Sequence, residues 1–102
     1  IAAHLKQQLD FELQHDAPYC ASPPLGDELN GELAQQLSRS IEAVVGPRQI
    51  VGVPYGTHAS RIAKAEVPAV VFGPGNIAQA HTKDEWISID QLRQAAEVYF
   101  HF

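Results

Sequence analysis

Residues 67–92, VPAVVFGPGNIAQAHTKDEWISIDQL, decide how the chain is read. The stretch opens on Val67-Pro68-Ala69-Val70-Val71-Phe72, a continuous apolar run of the kind that is buried on both faces of a sheet. It breaks at Gly73-Pro74-Gly75-Asn76, where glycine lets the backbone come close to a ligand. His81, Asp84 and Glu85 follow before the next helix, and Trp86-Ile87 has the composition of a short extended piece. Ser88 and Gln91 have the spacing of a capping box, which predicts a helix over 89–101. Its buried stripe is expected to be Ile89, Leu92, Ala96, Tyr99 and Phe100, and Trp86 and Tyr99 read as core.

On the N-terminal side, Leu33, Leu37, Ile41, Val44 and Val45 repeat with helical period, so a helix is expected over 30–45 with Gly46 as its stop. Pro47 cannot continue that helix, and Ile50, Val51, Val53 and Tyr55 predict a strand over 49–55. A short helix suits 58–65. The order helix, strand, helix, strand, loop, helix is that of an α/β layer fold, with a mostly parallel sheet flanked by helices. Helices 30–45 and 89–101 would cover a sheet containing strands 49–55 and 68–72. Ligands in such sheets bind beyond the carboxyl ends of the strands, here Gly56-Thr57-His58 and Gly73-Pro74-Gly75-Asn76. Farther upstream, Ile1, Leu5 and Leu9 share a helical face, and Phe11, Leu13 and His15 alternate as in a half-exposed strand stopped by Pro18. Ser22-Pro23-Pro24 makes a stiff connection, which places a domain boundary there: 1–22 belongs to one domain and 23–102 to the next.

Bulk properties narrow the function classes. The chain has 102 residues and 45% hydrophobic content, suited to a core of modest size. Its formal charge of −5, with seven Lys and Arg thinly spread, forms no basic stripe for phosphates, so no nucleic-acid partner is expected. No apolar run approaches the roughly twenty residues that span a bilayer, so no membrane partner is expected either. The opening residues lack the order of a signal peptide, which suggests a cytoplasmic protein. The single Cys20 reads as a half-buried small apolar residue. The chain begins at Ile1 and contains no Met, so we expect it to be a fragment.

By residue chemistry alone, His81 is the candidate metal ligand, since a neutral imidazole nitrogen binds zinc at about 2.0–2.1 Å. A lone loop His is more often a surface or hydrogen-bonded residue than a ligand, and the chain has no CxxC or HExxH pattern to raise the odds. The strings VPYGTHASRIAKAEVPAVVFGPGNIAQAHTKDEWISIDQL (residues 53–92) and FELQHDAPYCASPPL (residues 11–25) add a further observation. They resemble the dinuclear zinc hydrolase family that includes acetylornithine deacetylase, succinyl-diaminopimelate desuccinylase, aminoacylases and related carboxypeptidases. Its most specific part is Gly73-Pro74-Gly75, then Ala80-His81-Thr82, then Asp84-Glu85 ahead of a helix.

This resemblance implies a fold, an activity and a set of roles. Residues 1–22 would end a lid domain of the dimerisation type, and 23–102 would be the C-terminal part of the catalytic domain. The parent protein would hydrolyse a small-molecule N-acyl amino acid of the acetylornithine type in arginine biosynthesis, using two zinc ions for which cobalt could substitute, and would form a homodimer. His81 would ligate one zinc, Arg61 would bind the substrate carboxylate, and Gly73, Gly75 and Asn76 would wall the substrate pocket. Arg suits its role because its planar fork presents parallel donors to a carboxylate, although a helix-surface Arg is equally well explained by solvation. The resemblance assigns no catalytic acid or base to this chain: the bridging carboxylate, the remaining ligands and the catalytic Glu would lie upstream of Ile1. Glu85 is better read as a loop carboxylate holding backbone donors. His58 stands where the family usually has an acidic residue, which puts the parent's activity in question. The rival to hydrolase chemistry is a non-catalytic folded fragment or a binding module.

Overall fold

The structure is a computed structural model, and it describes Gln7, Gln8, Phe11, Glu12, Gln14 and residues 16–102. The helix expected over 1–9 lies mostly outside the described residues, of which Gln7 and Gln8 are helical, and of the strand expected over 11–16 the described residues Phe11, Glu12, Gln14 and Asp16 are not in a strand. Helix α1 spans Asp27–Val45, α2 spans Ala59–Lys64, a 3₁₀ turn covers Ile77–Gln79, and α3 spans Ile89–His101.

Helix α1 begins three residues before its expected start. Gly26 is its extended N-cap, and Asp27 and Glu28 place negative charge in the first turn, where the helix dipole favours it. Asn30, expected at the helix end, is buried inside it, and Leu37 faces the core as its spacing required. Gly46 stops the helix as expected, at φ 79° with its N–H donated to the Glu42 carbonyl, a conformation that favours glycine. Helix α2 is short because both of its ends are capped. Thr57 Oγ1 accepts the Ala59 N–H at 3.2 Å and Ser60 Oγ donates to the Thr57 carbonyl at 3.0 Å. At the far end Glu66 takes φ 61°. Glu66 donates to the Ala63 carbonyl and Val67 to the Ile62 carbonyl, the paired bonds of a Schellman motif built without glycine.

The expected parallel sheet is not formed: the described residues contain helices and no strand. Segments 49–53 and 67–72 lack helical structure but have no ladder between them. A ladder consumes backbone donors and acceptors, and in 67–72 several of these are engaged elsewhere or missing. Ala69 donates its N–H to Asn30 Oδ1 at 2.8 Å, and the Phe72 carbonyl accepts the Tyr99 hydroxyl at 3.2 Å. Pro68 has no donor to give, and neither has Pro54, which directly follows the other segment. The β-branched residues that suggested strands therefore stay in contact with solvent, among them Val51 at 66% and Val71 at 53% exposure.

What holds the described chain together is the packing of α1 on α3. Leu37, Ala69, Ala95 and Val98 form the buried apolar core, with Val98 the most enclosed. The stripe expected on α3 is displaced by one helical row: Ala95 and Val98 turn inward, whereas Ile89, Leu92, Tyr99 and Phe100 are exposed. That helix is apolar on two adjacent rows, and α1 takes the row with the smaller side chains, which permits close approach. Tyr99 remains attached at its edge, with its ring 5.3 Å from Phe72 in a T-shaped pair. Trp86, expected in the core, is 61% exposed, and Cys20 is exposed instead of half-buried. The radius of gyration is 18.6 Å, against about 13 Å for a compact domain of this length. The helices and the two irregular segments accordingly border an open cleft of 1170 Å³, lined by residues such as Leu37, Ile41, Val53 and Val98. No helix among the described residues is long and apolar enough to cross a membrane.

Candidate functional site

The loop between the apolar segment and α3 is held by its own side chains. Gly75 takes φ 95°, a region open to glycine at little cost, and donates its N–H to Gln91 Oε1 at 2.8 Å. Gln91 is thereby diverted from the reciprocal half of the expected capping box. Ser88 keeps the other half, accepting the Gln91 N–H at 3.5 Å. The first turn of α3 thus anchors the Gly-Pro-Gly turn. Asn76 is the N-cap of the 3₁₀ turn, with Oδ1 accepting the Ala78 N–H at 2.9 Å. Thr82 Oγ1 donates to the Gln79 carbonyl at 2.8 Å.

His81 lies at the end of this chain of local bonds. Its φ of 58° is left-handed, a conformation it shares among the non-glycine residues only with Glu66 of those described. Its backbone N–H is donated to Glu85 Oε2 at 3.1 Å. The residue is exposed, and among the described residues its imidazole enters no hydrogen bond or ion pair, which leaves both ring nitrogens open to an incoming partner.

A cleft of 650 Å³ adjoins the loop. It brings together Gly73, Gly75 and Asn76 of the expected pocket wall, and adds Tyr55, Glu85 and Trp86. His81 is next to this cleft through its neighbour Ala80 but does not line it. Arg61 stands apart, exposed on α2 and lining neither cleft. His58 is the residue before α2, and its carbonyl accepts the N–H groups of Arg61 and Ile62. It caps the helix through backbone alone.

Among the described residues no three His, Cys, Asp or Glu side chains converge as a metal site requires. Zinc takes four ligands in structural sites and three protein ligands in catalytic ones. The donor chemistry here, one exposed imidazole with a carboxylate already bonded to its backbone, fits one position in a larger ligand set and not a closed site. Glu85 holds a backbone donor, as expected of a loop carboxylate, whereas Gln91, which anchors the Gly-Pro-Gly turn, shows in the sequence only as half of a capping box. Gln91 sits where a capping box would also place it. Asn30 carried no sequence signal beyond its place near a helix start.

Known proteins resemble this chain over part of their own length. An N-acetyl-L-citrulline deacetylase of Xanthomonas campestris pv. campestris is 34% identical over 76 residues, covering 74% of this chain and 21% of the relative. A succinyl-diaminopimelate desuccinylase of Corynebacterium glutamicum is 28% identical over 96 residues, covering 93% of this chain and 26% of the relative. The chain thus spans about a quarter or less of the length of these relatives. No solved structure matches it at a significant level. The profile of Peptidase family M20/M25/M40 matches residues 8–102, and the chain therefore belongs to that family.

Proposed function

We propose that the whole protein is a zinc-dependent hydrolase of N-acyl amino acids, to which this chain contributes one metal ligand and part of the substrate pocket. The observation that carries the reading is the family match over residues 8–102, which includes the cleft against the Gly-Pro-Gly turn and the exposed His81 beside it. The relatives are named for removing an acetyl group and a succinyl group from amino acids, which gives the substrate class. His81 offers an imidazole nitrogen to the metal. Bound zinc supplies Lewis-acid polarisation of the amide carbonyl and a water activated near neutral pH. The backbone of residues 73–76 walls the acyl amino acid, and Arg61 pairs with its carboxylate.

The test is amine release from a panel of N-acyl amino acids, N-acetyl-L-citrulline and N-succinyl-diaminopimelate among them, with the whole protein. Release that stops after chelation and returns with zinc is the expected result. A zinc-loaded protein inert towards the whole panel would leave the binding-module reading in its place.

Arg61 gives a separate prediction. Because Arg61 is exposed and lines neither cleft, the Arg61→Ala variant asks whether this face of α2 meets the substrate at all. Loss of a charge-assisted bond to the substrate carboxylate should raise KM by about tenfold or more with kcat little changed. Steady-state kinetics in which KM stays at the wild-type value would return Arg61 to the role of a solvated helix charge.

A further inference from the structure

We propose that Glu85 is a positioning residue for His81: its carboxylate holds the His81 backbone in the left-handed conformation that sets where the imidazole points. The inference rests on the reading of His81 as a metal ligand.

A left-handed backbone is disfavoured for any residue with a Cβ, and such a residue persists where its surroundings over-determine it. At φ 58°, His81 needs such support, and two bonds are available to supply it. Glu85 Oε2 accepts the His81 N–H at 3.1 Å, and on the adjacent residue Thr82 Oγ1 donates to the Gln79 carbonyl at 2.8 Å. Whereas the second is made by the next residue, the first acts on the His81 backbone itself. It also closes a short loop, because donor and acceptor are four residues apart. Without that acceptor the His81 N–H is free to turn to water and φ to relax to negative values. Relaxation rotates Cβ about the backbone and carries the imidazole away from its direction. The rigidity of a ligand's orientation is what metal affinity depends on beyond the ligand itself, and loss of an outer partner typically costs 10–100-fold.

The experiment measures zinc affinity of the whole protein by competition with a chromogenic chelator, for wild type and for Glu85→Gln, Glu85→Ala, Glu85→Met and His81→Ala. Glutamine keeps an acceptor at the same reach, so its affinity should stay within about twofold of wild type. Alanine and methionine lack that acceptor and should each weaken binding about tenfold or more, methionine at nearly unchanged side-chain length. Methionine also serves if the alanine variant does not fold. Wild-type affinity in both, with affinity lost in His81→Ala, would defeat the positioning role and leave the ligand role standing. Unchanged affinity in His81→Ala would remove the ligand role and the inference with it. A glutamine variant as weak as alanine would show that the charge matters and not the hydrogen bond, which also overturns the proposal.

Discussion

Replacing His81 by alanine in the whole protein should lower kcat/KM for N-acyl amino acids by about a thousandfold or more, with bound zinc lost in parallel. The size follows from what a metal ligand controls. Metal polarisation and water activation contribute several kcal/mol to the transition state, and each 1.36 kcal/mol is a factor of ten in rate. A solvated loop imidazole would contribute nothing of this kind, so the two readings differ by orders of magnitude. His101 provides the internal control. It is another exposed histidine, in the last turn of α3 with its ring 6.0 Å from that of Phe100, and His101→Ala should leave both rate and zinc content near wild type. Metal analysis and initial rates on the same preparations decide the matter. Full zinc content together with more than about a tenth of the wild-type rate in His81→Ala would exclude His81 from the ligand set.

How much of this was legible in the sequence depends on the range of the interaction. Helices α1 and α3 were readable because their signals are local: Gly46 stopping one, Ser88 opening the other. The loop itself was readable for a similar reason, since glycines break the apolar run, but the cap that Asn76 makes on the following turn was not. The sheet was misread because β-branched composition reports a segment's tolerance for extended backbone and says nothing about whether a partner is beside it. Segment 67–72 satisfies part of its backbone through Asn30 and Tyr99, which lie 39 and 27 residues from their partners. The inward row of α3 was misjudged on the same ground. Large side chains at Leu92 and Phe100 suggested a core, but close packing against α1 is made by Ala95 and Val98. That Glu85 holds a backbone donor was legible, but which donor, and the bond from Gly75 to Gln91, depend on what lies within reach of a flexible acid or amide. Periodicity does not encode that.

Asn30→Leu should destabilise the protein by about 3 kcal/mol, the largest effect on stability that the fold predicts. Asn30 is 5% exposed and links two elements at once: Nδ2 donates to the Gly26 carbonyl at the start of α1, and Oδ1 accepts the Ala69 N–H. Ala69 is itself buried at 8% exposure. Leucine keeps the branching at Cγ and is somewhat bulkier, so the space is filled while both polar partners are left without it, and the apolar side chain keeps water from replacing the lost acceptor. An unsatisfied buried amide costs about 1–3 kcal/mol, and loss of the bond to Gly26 adds to it. Asn30→Asp separates the two contributions. It keeps an oxygen for Ala69 and places negative charge near the α1 N-terminus, where the dipole offsets part of the cost of burying it, but loses the donor to Gly26. Its cost should therefore be smaller than that of leucine. Chemical denaturation of the whole protein gives the stabilities, and amide hydrogen exchange at Ala69 shows which bond failed: protection there should fall sharply in the leucine variant and persist in the aspartate one. Equal stability of Asn30→Leu and wild type, with Ala69 still protected, would mean that segment 67–72 finds its backbone partners elsewhere, and that the bond from Ala69 to Asn30 is not what keeps this segment from forming a ladder.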